Sequence, residues 1–306
     1  MGKTAFLMAG QGSQYPGMAK DLYESIPAVR EIFDEAEGIR PGTLAQMFEG
    51  TEEELKRTDN TQPCLFLADV AAAVALREQG IKPNAVAGFS LGEIAGLAVS
   101  GAMTVADAFR LVVNRGARMQ QAAEQEEGSM IAVLRMDQAE LCALCEQFGV
   151  YPVNFNCPGQ IVVSGRSTKI EELRGELDSR GVRYVALAVG GPFHTPYMKN
   201  AAEGLLADLK SLPIGETDIP LYANRTALPY PDNADSMRAL ISEQICGSVR
   251  WEETLRRMYE DGIDTFVECG PGKTLSGFVR RTLSGVAICG VSDIATLTDT
   301  VAKIGG

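Results

Sequence analysis

Residues Ala85–Glu93 read AVAGFSLGE, and the rest of the chain is arranged around this stretch. A short apolar run ends in G-F-S-L-G, and a pattern of small and apolar residues typical of a helix begins at Leu91. Strand, sharp turn and helix in that order form a nucleophile elbow, which lifts the hydroxyl of Ser90 clear of the backbone. Gly88 and Gly92 stand where side chains would collide in so tight a turn. We therefore expect a nucleophilic Ser90 that faces the free N–H groups of the following helix.

The chain contains a single histidine, His194. If an imidazole activates Ser90, it has to be this one. It lies in Gly190–Pro196, where two glycines and two prolines fix a loop after an apolar strand, and such loops often present catalytic groups. A histidine whose hydrogen bonds are satisfied within that loop is the other interpretation.

A glycine-rich loop, Ala9–Gln14, follows the first predicted strand, Thr4–Met8. A dinucleotide fingerprint would need glycine where Tyr15 stands, and a P-loop would need Lys-Ser/Thr from Met18 onward, so both are excluded. The loop instead bares backbone N–H groups near Gln11, which suits a donor to an oxyanion. An ordinary turn between strand and helix is the alternative.

The spacing of apolar residues predicts a helix over Thr104–Glu124, with Arg115 on its apolar stripe. A guanidinium there either reaches out to solvent or meets an anion, because an unpaired buried charge is costly. Its planar fork fits a carboxylate of the substrate.

The composition is that of a globular protein, with 45% hydrophobic and 22% charged residues among 306. The net charge of -12 makes nucleic acid an unsuitable partner. No apolar run is long enough to predict a membrane span. Seven cysteines read as reduced thiols, which predicts a cytoplasmic protein, and Cys142 and Cys145 are predicted to pack in the core rather than bind metal.

Strands alternate with helices in the first and last parts of the chain, which predicts an α/β fold with a mostly parallel sheet covered on both faces. Residues 129–187 read β-α-β-β-α-β, the ferredoxin-like order. We therefore predict a large hydrolase-like α/β catalytic domain from residues 1–127 and 193–306. A ferredoxin-like small domain is inserted at 128–192, and the active site is expected in the cleft between them.

Four motifs together resemble the malonyl-CoA:acyl carrier protein transacylase family: Gly10–Gln14 (GQGSQ), Gly88–Glu93 (GFSLGE), Asn114–Gly116 (NRG) and Gly191–His194 (GPFH). The resemblance covers the whole chain. It implies a ping-pong acyl transfer in which Ser90 carries malonate as an ester and His194 is its base and then the acid for the leaving thiol. It also implies that the backbone N–H groups of Gln11 and Leu91 form the oxyanion hole.

The resemblance further implies that Arg115 holds the malonyl carboxylate, with Gln62 and Phe193 also at the substrate. Phe193 looks like the malonyl-selecting form of its loop, since a bulky ring crowds out an α-methyl branch. Backbone carbonyls near Arg250, rather than a carboxylate, would orient the histidine. Phe89 departs from the family, in which many members place histidine before the nucleophile.

The activity that the resemblance implies is that of a malonyl-CoA:acyl carrier protein S-malonyltransferase of fatty acid biosynthesis, a monomer that needs neither metal nor bound cofactor. Its substrates would be malonyl-CoA and acyl carrier protein. Carrier proteins are acidic and so is this chain, so docking needs a local cationic spot, for which Lys273, Arg280 and Arg281 are candidates. Three alternatives stay open: a free-standing acyltransferase that loads polyketide synthase carrier domains, a serine acyl hydrolase, and a degenerate member that serves as a docking subunit. The hydrolase shares the G-x-S-x-G pattern, but its histidine usually comes late in the chain, after an acid.

Overall fold

The computed structural model describes residues 2–305. The strands are β1 (Lys3–Met8), β2 (Ala85–Gly88), β3 (Gly128–Leu134), β4 (Tyr151–Cys157), β5 (Gln160–Arg166), β6 (Arg183–Ala186), β7 (Leu221–Tyr222), β8 (Ile263–Cys269) and β9 (Ala287–Val291). The helices are α1 (Lys20–Ser25), α2 (Pro27–Ile39), α3 (Thr43–Glu49), α4 (Glu52–Lys56), α5 (Thr58–Glu78), α6 (Gly92–Val99), α7 (Val105–Gln125), α8 (Gln138–Phe148), α9 (Ser167–Ser179), α10 (Lys199–Leu209), α11 (Ala234–Gln244), α12 (Trp251–Glu260), α13 (Thr274–Thr282) and α14 (Ile294–Ile304).

The larger sheet has five parallel strands in the order β7-β2-β1-β8-β9. Its central strands are short apolar runs that are buried on both faces, as parallel strands between two layers of helices must be. The predicted α/β class and mostly parallel sheet are confirmed. Ser90 and the 9–14 loop both follow carboxyl ends of neighbouring strands, β2 and β1, and therefore come to the same edge of the sheet.

The second sheet is antiparallel, with the order β4-β5-β3-β6. This order, with α8 and α9 as the two crossover helices, is the ferredoxin-like arrangement that the sequence predicts. All four strands lie within 128–186, inside the range proposed for the smaller domain. The division of the chain into domains at 128–192 stays a prediction.

Several elements differ from the sequence-based expectation. The sequence did not predict α3, α4, β9 and α14; β9 owes its place to pairing with β8, a tertiary contact without a local signal. Of the two cysteines predicted to pack, Cys145 is buried in the core of the second sheet, whereas Cys142 is half-buried. No helix within residues 2–305 is long and apolar enough to cross a membrane.

Two long helices bring the remaining polar groups to the site. α5 is buried along almost its whole length and packs against α7. Gln62, in the first turns of α5, and Arg115, on the apolar stripe of α7, therefore meet in the core. This pairing of helices is what places a charged side chain behind the elbow serine.

Candidate active site

The elbow is as tight as the sequence predicts. Ser90 has φ 53°, in the left-handed region that residues with a side chain seldom adopt. A Cβ on Gly88 would lie 2.0 Å from the backbone of Gly92, and one on Gly92 would lie 2.5 Å from the carbonyl oxygen of Met8. The backbone N–H of Ser90 donates to Oδ1 of Asn224 (2.8 Å), which helps to hold the turn. Strain supported in this way is characteristic of functional sites.

Ser90 and His194 are in direct contact, with 2.8 Å between Oγ and Nε2. Nδ1 of His194 lies 2.9 Å from the carbonyl oxygen of Gln244 and 3.2 Å from that of Gly247. Both partners are acceptors, so Nδ1 carries the proton and Nε2 is free to accept the hydroxyl proton of Ser90. His194 is itself in the left-handed region, with φ 62°.

The prediction that Arg250 supplies the carbonyl that orients His194 is wrong. The carbonyl oxygen of Arg250 accepts the N–H of Thr254 (2.9 Å), because Arg250 opens α12 and its carbonyl belongs to the first helical turn. The carbonyls of Gln244 and Gly247, three to six residues earlier, face the imidazole instead.

Arg115 does not reach solvent: its side chain is fully buried. Its terminal nitrogens donate to Oε1 of Gln62 and Oε1 of Gln244, both at 2.8 Å, and to Oγ of Ser90 at 3.2 Å. Its Nε has no hydrogen-bond partner. Among residues 2–305 no carboxylate forms an ion pair with it. A buried guanidinium beside Ser90 whose hydrogen-bond partners are all neutral is suited to pair with an anion from outside the chain.

Burial shifts both ionisable groups next to Ser90. It lowers the pKa of Arg115 to about 10, a change that the negative charge of Glu93 opposes, so the guanidinium stays charged at neutral pH. Burial, and then the positive charge of Arg115, lower the pKa of His194 to about 4. The imidazole is therefore neutral, as a general base must be before it accepts a proton.

A buried carboxylate, Glu93, lies behind the elbow. It accepts hydrogen bonds from the Tyr230 hydroxyl, from the N–H of Asn224 (2.8 Å) and from Nε2 of Gln244 (3.3 Å). Nε2 of Gln244 also donates to the carbonyl oxygen of Ser90 (2.7 Å). The side-chain amide of Gln244 thus contacts Arg115, Glu93 and the backbone of Ser90, and its own carbonyl oxygen contacts His194.

Burial raises the pKa of Glu93 to about 7, although its three hydrogen-bond donors and Arg115 favour the ionised form. A raised folded-state pKa means that the carboxyl contributes stability fully below its ordinary value of 4.5, and that this stability is lost as the pH rises through 7. We expect Glu93→Gln to gain stability relative to the wild type between pH 5 and pH 8, by about 3 kcal/mol for a shift of this size. Thermal unfolding across that range measures it, with the exposed Glu140→Gln as the matched control. A difference in melting temperature between the Glu93→Gln variant and the wild type that stays constant from pH 5 to pH 8 would contradict the raised pKa of Glu93.

A cavity of about 260 Å³ opens onto Ser90 and His194 between the two sheets. Phe193, Met119 and Phe89 give it apolar walls, and the ring of Phe89 packs edge-on against Trp251 at 5.3 Å between centroids. The side chain of Phe89 therefore fills an aromatic cluster, and only its backbone forms hydrogen bonds at the elbow. The loop residues around Gln11 form another wall of the same cavity.

The N–H groups of Gln11 and Leu91 are available to a ligand. Within the range that the structure covers, neither donates a hydrogen bond to the protein. Leu91 is the N-cap position of α6, so its N–H points away from the helix toward Ser90. Two unpaired backbone donors at the elbow and at the facing loop suit an oxyanion hole.

The three cationic residues predicted for docking are not equivalent. Lys273 and Arg280 line a surface groove together with Lys303 and one acid, Asp299. Arg281 instead donates to Oε1 of Gln160 (2.8 Å), a residue in the wall of the cavity on the second sheet. Arg281 therefore links helix α13 to the second sheet.

Sequence reasoning missed Gln244, Asn224, Glu93 and Tyr230. No motif marks the first two, which reach the site from distant elements. Glu93 did carry a signal, because it is the only acid in the otherwise small and apolar α6. An acid in such a helix is buried, and a buried acid needs donors around it.

The chain matches the acyl transferase domain family over residues 5–298. It is 40% identical over 305 residues to the malonyl CoA-acyl carrier protein transacylase of Bacillus subtilis, with 97% of this chain and 96% of that protein covered. It superimposes on the malonyl CoA-acyl carrier protein transacylase of Clostridium perfringens with a TM-score of 0.94 at 33% identity, covering 99% and 97% of the two chains. A malonyl-transacylase solved in complex with a type II PKS acyl-carrier protein matches with a TM-score of 0.93 at 33% identity, covering 98% and 99%.

The fold and the comparisons define an acyl transferase. Within that class, the chain belongs to the family of the malonyl CoA-acyl carrier protein transacylases.

Proposed function

We propose that the protein transfers malonyl from malonyl-CoA to the phosphopantetheine thiol of acyl carrier protein through an ester on Ser90. One observation carries the proposal: Oγ of Ser90 lies 2.8 Å from Nε2 of His194 and 3.2 Å from a terminal nitrogen of Arg115. The first contact supplies a base for acyl transfer, and the second puts a buried cation where an acyl group with a far carboxylate would lie.

In the first half-reaction, Oγ of Ser90 attacks the thioester carbonyl while Nε2 of His194 takes the hydroxyl proton. The N–H groups of Gln11 and Leu91 stabilise the oxyanion, and the carbon–sulfur bond then breaks. His194 returns the proton to the thiolate of CoA. In the second half-reaction the carrier thiol attacks the ester, and the same groups run in reverse.

Arg115 and Gln62 bind the malonyl carboxylate, and Phe193 limits the space beside the acyl group. Every group in this scheme is a side chain or backbone atom of the chain, so we expect the reaction to need no resident metal or cofactor. We assign the activity to fatty acid synthesis, as the resemblance implies.

Incubation of the protein with malonyl-CoA and a holo acyl carrier protein tests the proposal. We expect malonyl-carrier to accumulate over many turnovers, and intact-mass measurement without carrier to show one malonyl group on the enzyme. Release of free malonate over many turnovers without an acceptor would identify a hydrolase instead. No adduct and no transfer would point to a docking subunit.

We propose the groove of Lys273 and Arg280 as part of the docking surface for the acidic carrier. Reversing both charges with Lys273→Glu and Arg280→Glu is expected to raise KM for carrier protein about tenfold or more at low salt, since like charges oppose encounter. KM for malonyl-CoA should stay the same. Lys82→Glu combined with Lys210→Glu, at two exposed lysines outside the groove, is the control for net charge. An equal effect of the control variant would remove this groove as the docking surface.

A further inference from the structure

The Ser90–His194 pair has no negative charge of its own. Within residues 2–305 the hydrogen-bond partners of Nδ1 of His194 are two backbone carbonyls, and no Asp or Glu oxygen contacts the ring. In a serine triad, an acid in that place stabilises the imidazolium that forms when the serine gives up its proton. Here no residue of the described range takes that role.

The positive charge of Arg115 lies close to His194 instead. Both a terminal nitrogen of Arg115 and Nε2 of His194 lie within 3.2 Å of the same hydroxyl oxygen of Ser90. When His194 takes the proton, two cations stand side by side in a buried site, where repulsion is far stronger than in water. The free enzyme is thus arranged against the proton transfer that its mechanism needs.

The carboxylates nearby do not offset the repulsion between Arg115 and the protonated His194. Glu93 lies across the Gln244 amide from Arg115, and its oxygens already accept three hydrogen bonds. Glu268, in the wall of the cavity, accepts the N–H groups of Leu275 and Ser276 at the start of α13. Tyr230 donates its hydroxyl to Glu93. Asp69 is buried behind the cavity wall, beside Ala9 and Glu268, and does not contact His194.

We propose that the carboxylate of the malonyl group supplies the missing negative charge, so that the substrate's own acid assists the chemistry at Ser90 as well as its binding. This inference rests on the proposed function. Once the carboxylate pairs with Arg115, the site carries one ion pair, and the imidazolium forms beside a neutralised cation. An acetyl group leaves the repulsion in place.

No atom beyond the proposed mechanism takes part. The Ser90 O–H proton passes to Nε2 of His194, the new ester C–O bond forms, the C–S bond breaks, and the proton leaves on the CoA sulfur. The malonyl carboxylate stays bound to Arg115 throughout and exchanges no proton. The effect is purely electrostatic.

The shift at His194 agrees with this arrangement. Burial is the first cause that lowers its pKa to about 4 and the charge of Arg115 the second. A carboxylate on Arg115 removes the second cause, so the pKa of His194 rises in the malonyl complex and the imidazole becomes a stronger base. The base is therefore strengthened only when the correct substrate is bound.

A carboxylate that only binds would act differently. It would lower KM and leave the acylation rate at saturating substrate unchanged, because uniform binding does not accelerate the chemical step. A carboxylate that also offsets charge raises that saturated rate.

The decisive experiment uses the wild-type enzyme and three acyl donors: malonyl-CoA, acetyl-CoA, and malonamyl-CoA, whose terminal amide has the shape of the carboxylate without its charge. Single-turnover acylation of Ser90 is followed by rapid quenching and intact-mass measurement at saturating donor. We expect malonyl-CoA to acylate about tenfold faster or more than either neutral donor, because a neighbouring opposite charge shifts a pKa by about 1–3 units. The acidic limb of the saturated rate should also lie at higher pH with malonyl-CoA than with acetyl-CoA.

Equal saturated rates for malonyl and malonamyl donors, with a difference in KM alone, would overturn the inference and leave the proposed function intact. Absence of any malonyl ester on Ser90 would overturn the proposed function itself. Arg115→Met gives an independent test, since it removes the cation: acetyl-CoA is expected to acylate Ser90 faster at saturation in this variant than in the wild type. Arg118→Met, on the same helix but paired with Asp208 (2.6 Å), is the matched control. A slower acetylation in the folded Arg115→Met variant would also count against the proposal.

Discussion

Ser90→Ala is expected to abolish the malonyl-enzyme and to reduce transfer to carrier protein to background. The reason is that Oγ of Ser90 is the hydroxyl in contact with Nε2 of His194, and no other residue can reach the only imidazole of the chain in the same way. Intact-mass measurement after incubation with malonyl-CoA reads the result directly. The loss should concern the rate of acylation and leave the fold unchanged, since alanine fits the same turn with one atom fewer.

Ser13→Ala is the matched control, because Ser13 lines the same cavity but donates its hydroxyl to the carbonyl oxygen of Gly10 (3.0 Å). This variant should keep the malonyl adduct. A malonyl group that survives on the Ser90→Ala enzyme would place the nucleophile elsewhere and remove the basis of the mechanism.

Arg115→Met is expected to lower kcat/KM for malonyl-CoA by a factor on the order of 10²–10³. Hydrogen bonds to charged groups contribute about 1.5–3 kcal/mol each. The variant loses two such bonds to the malonyl carboxylate, and the lower value for each bond gives the expected factor. Methionine fills most of the buried volume, so the loss reports the charge and the donors rather than a cavity. Steady-state kinetics with malonyl-CoA and with acetyl-CoA measure the effect.

Acetyl-CoA has no carboxylate and should lose nothing in the Arg115→Met variant. Equal losses for both donors would mean that Arg115 supports the fold of the site rather than the acid of the substrate. Thermal unfolding of the variant separates these cases, because a fully buried arginine with two amide partners also contributes to packing.

Local sequence signals predicted the elements that carry the reacting groups. A five-residue turn with glycines on both sides of Ser90 admits one geometry, and a histidine between prolines and glycines has little choice of backbone. The spacing of apolar residues correctly predicted that Arg115 faces the core. It did not decide whether the guanidinium reaches solvent or pairs with an anion. Burial of the whole side chain settles that point, and neither spacing nor composition could have done so.

The prediction that Arg250 orients His194 was wrong because local sequence patterns do not determine which carbonyl faces the imidazole. Which carbonyl faces an imidazole depends on where the fold places it, and the carbonyl of Arg250 lies in the first turn of helix α12, where it accepts the N–H of Thr254. Gln244 is the residue that matters there, and it lies at the end of α11, 154 positions from Ser90 along the chain. No sequence pattern in either segment predicts the contact between Gln244 and Ser90.

The sequence alone predicted the class of fold, the strained serine and a cation on an inward-facing helix stripe, because each depends on neighbours within a few residues. It pointed to His194 as the partner of Ser90 because the chain has a single histidine. The electrostatics of the site required the packed structure. Glu93, Gln244 and Arg115 come from three helices, and only their packing puts a guanidinium next to Ser90. The same packing leaves the imidazole without a carboxylate partner among residues 2–305. Charges act through space and not along the chain, so the state of charge around Ser90 follows from the assembled fold.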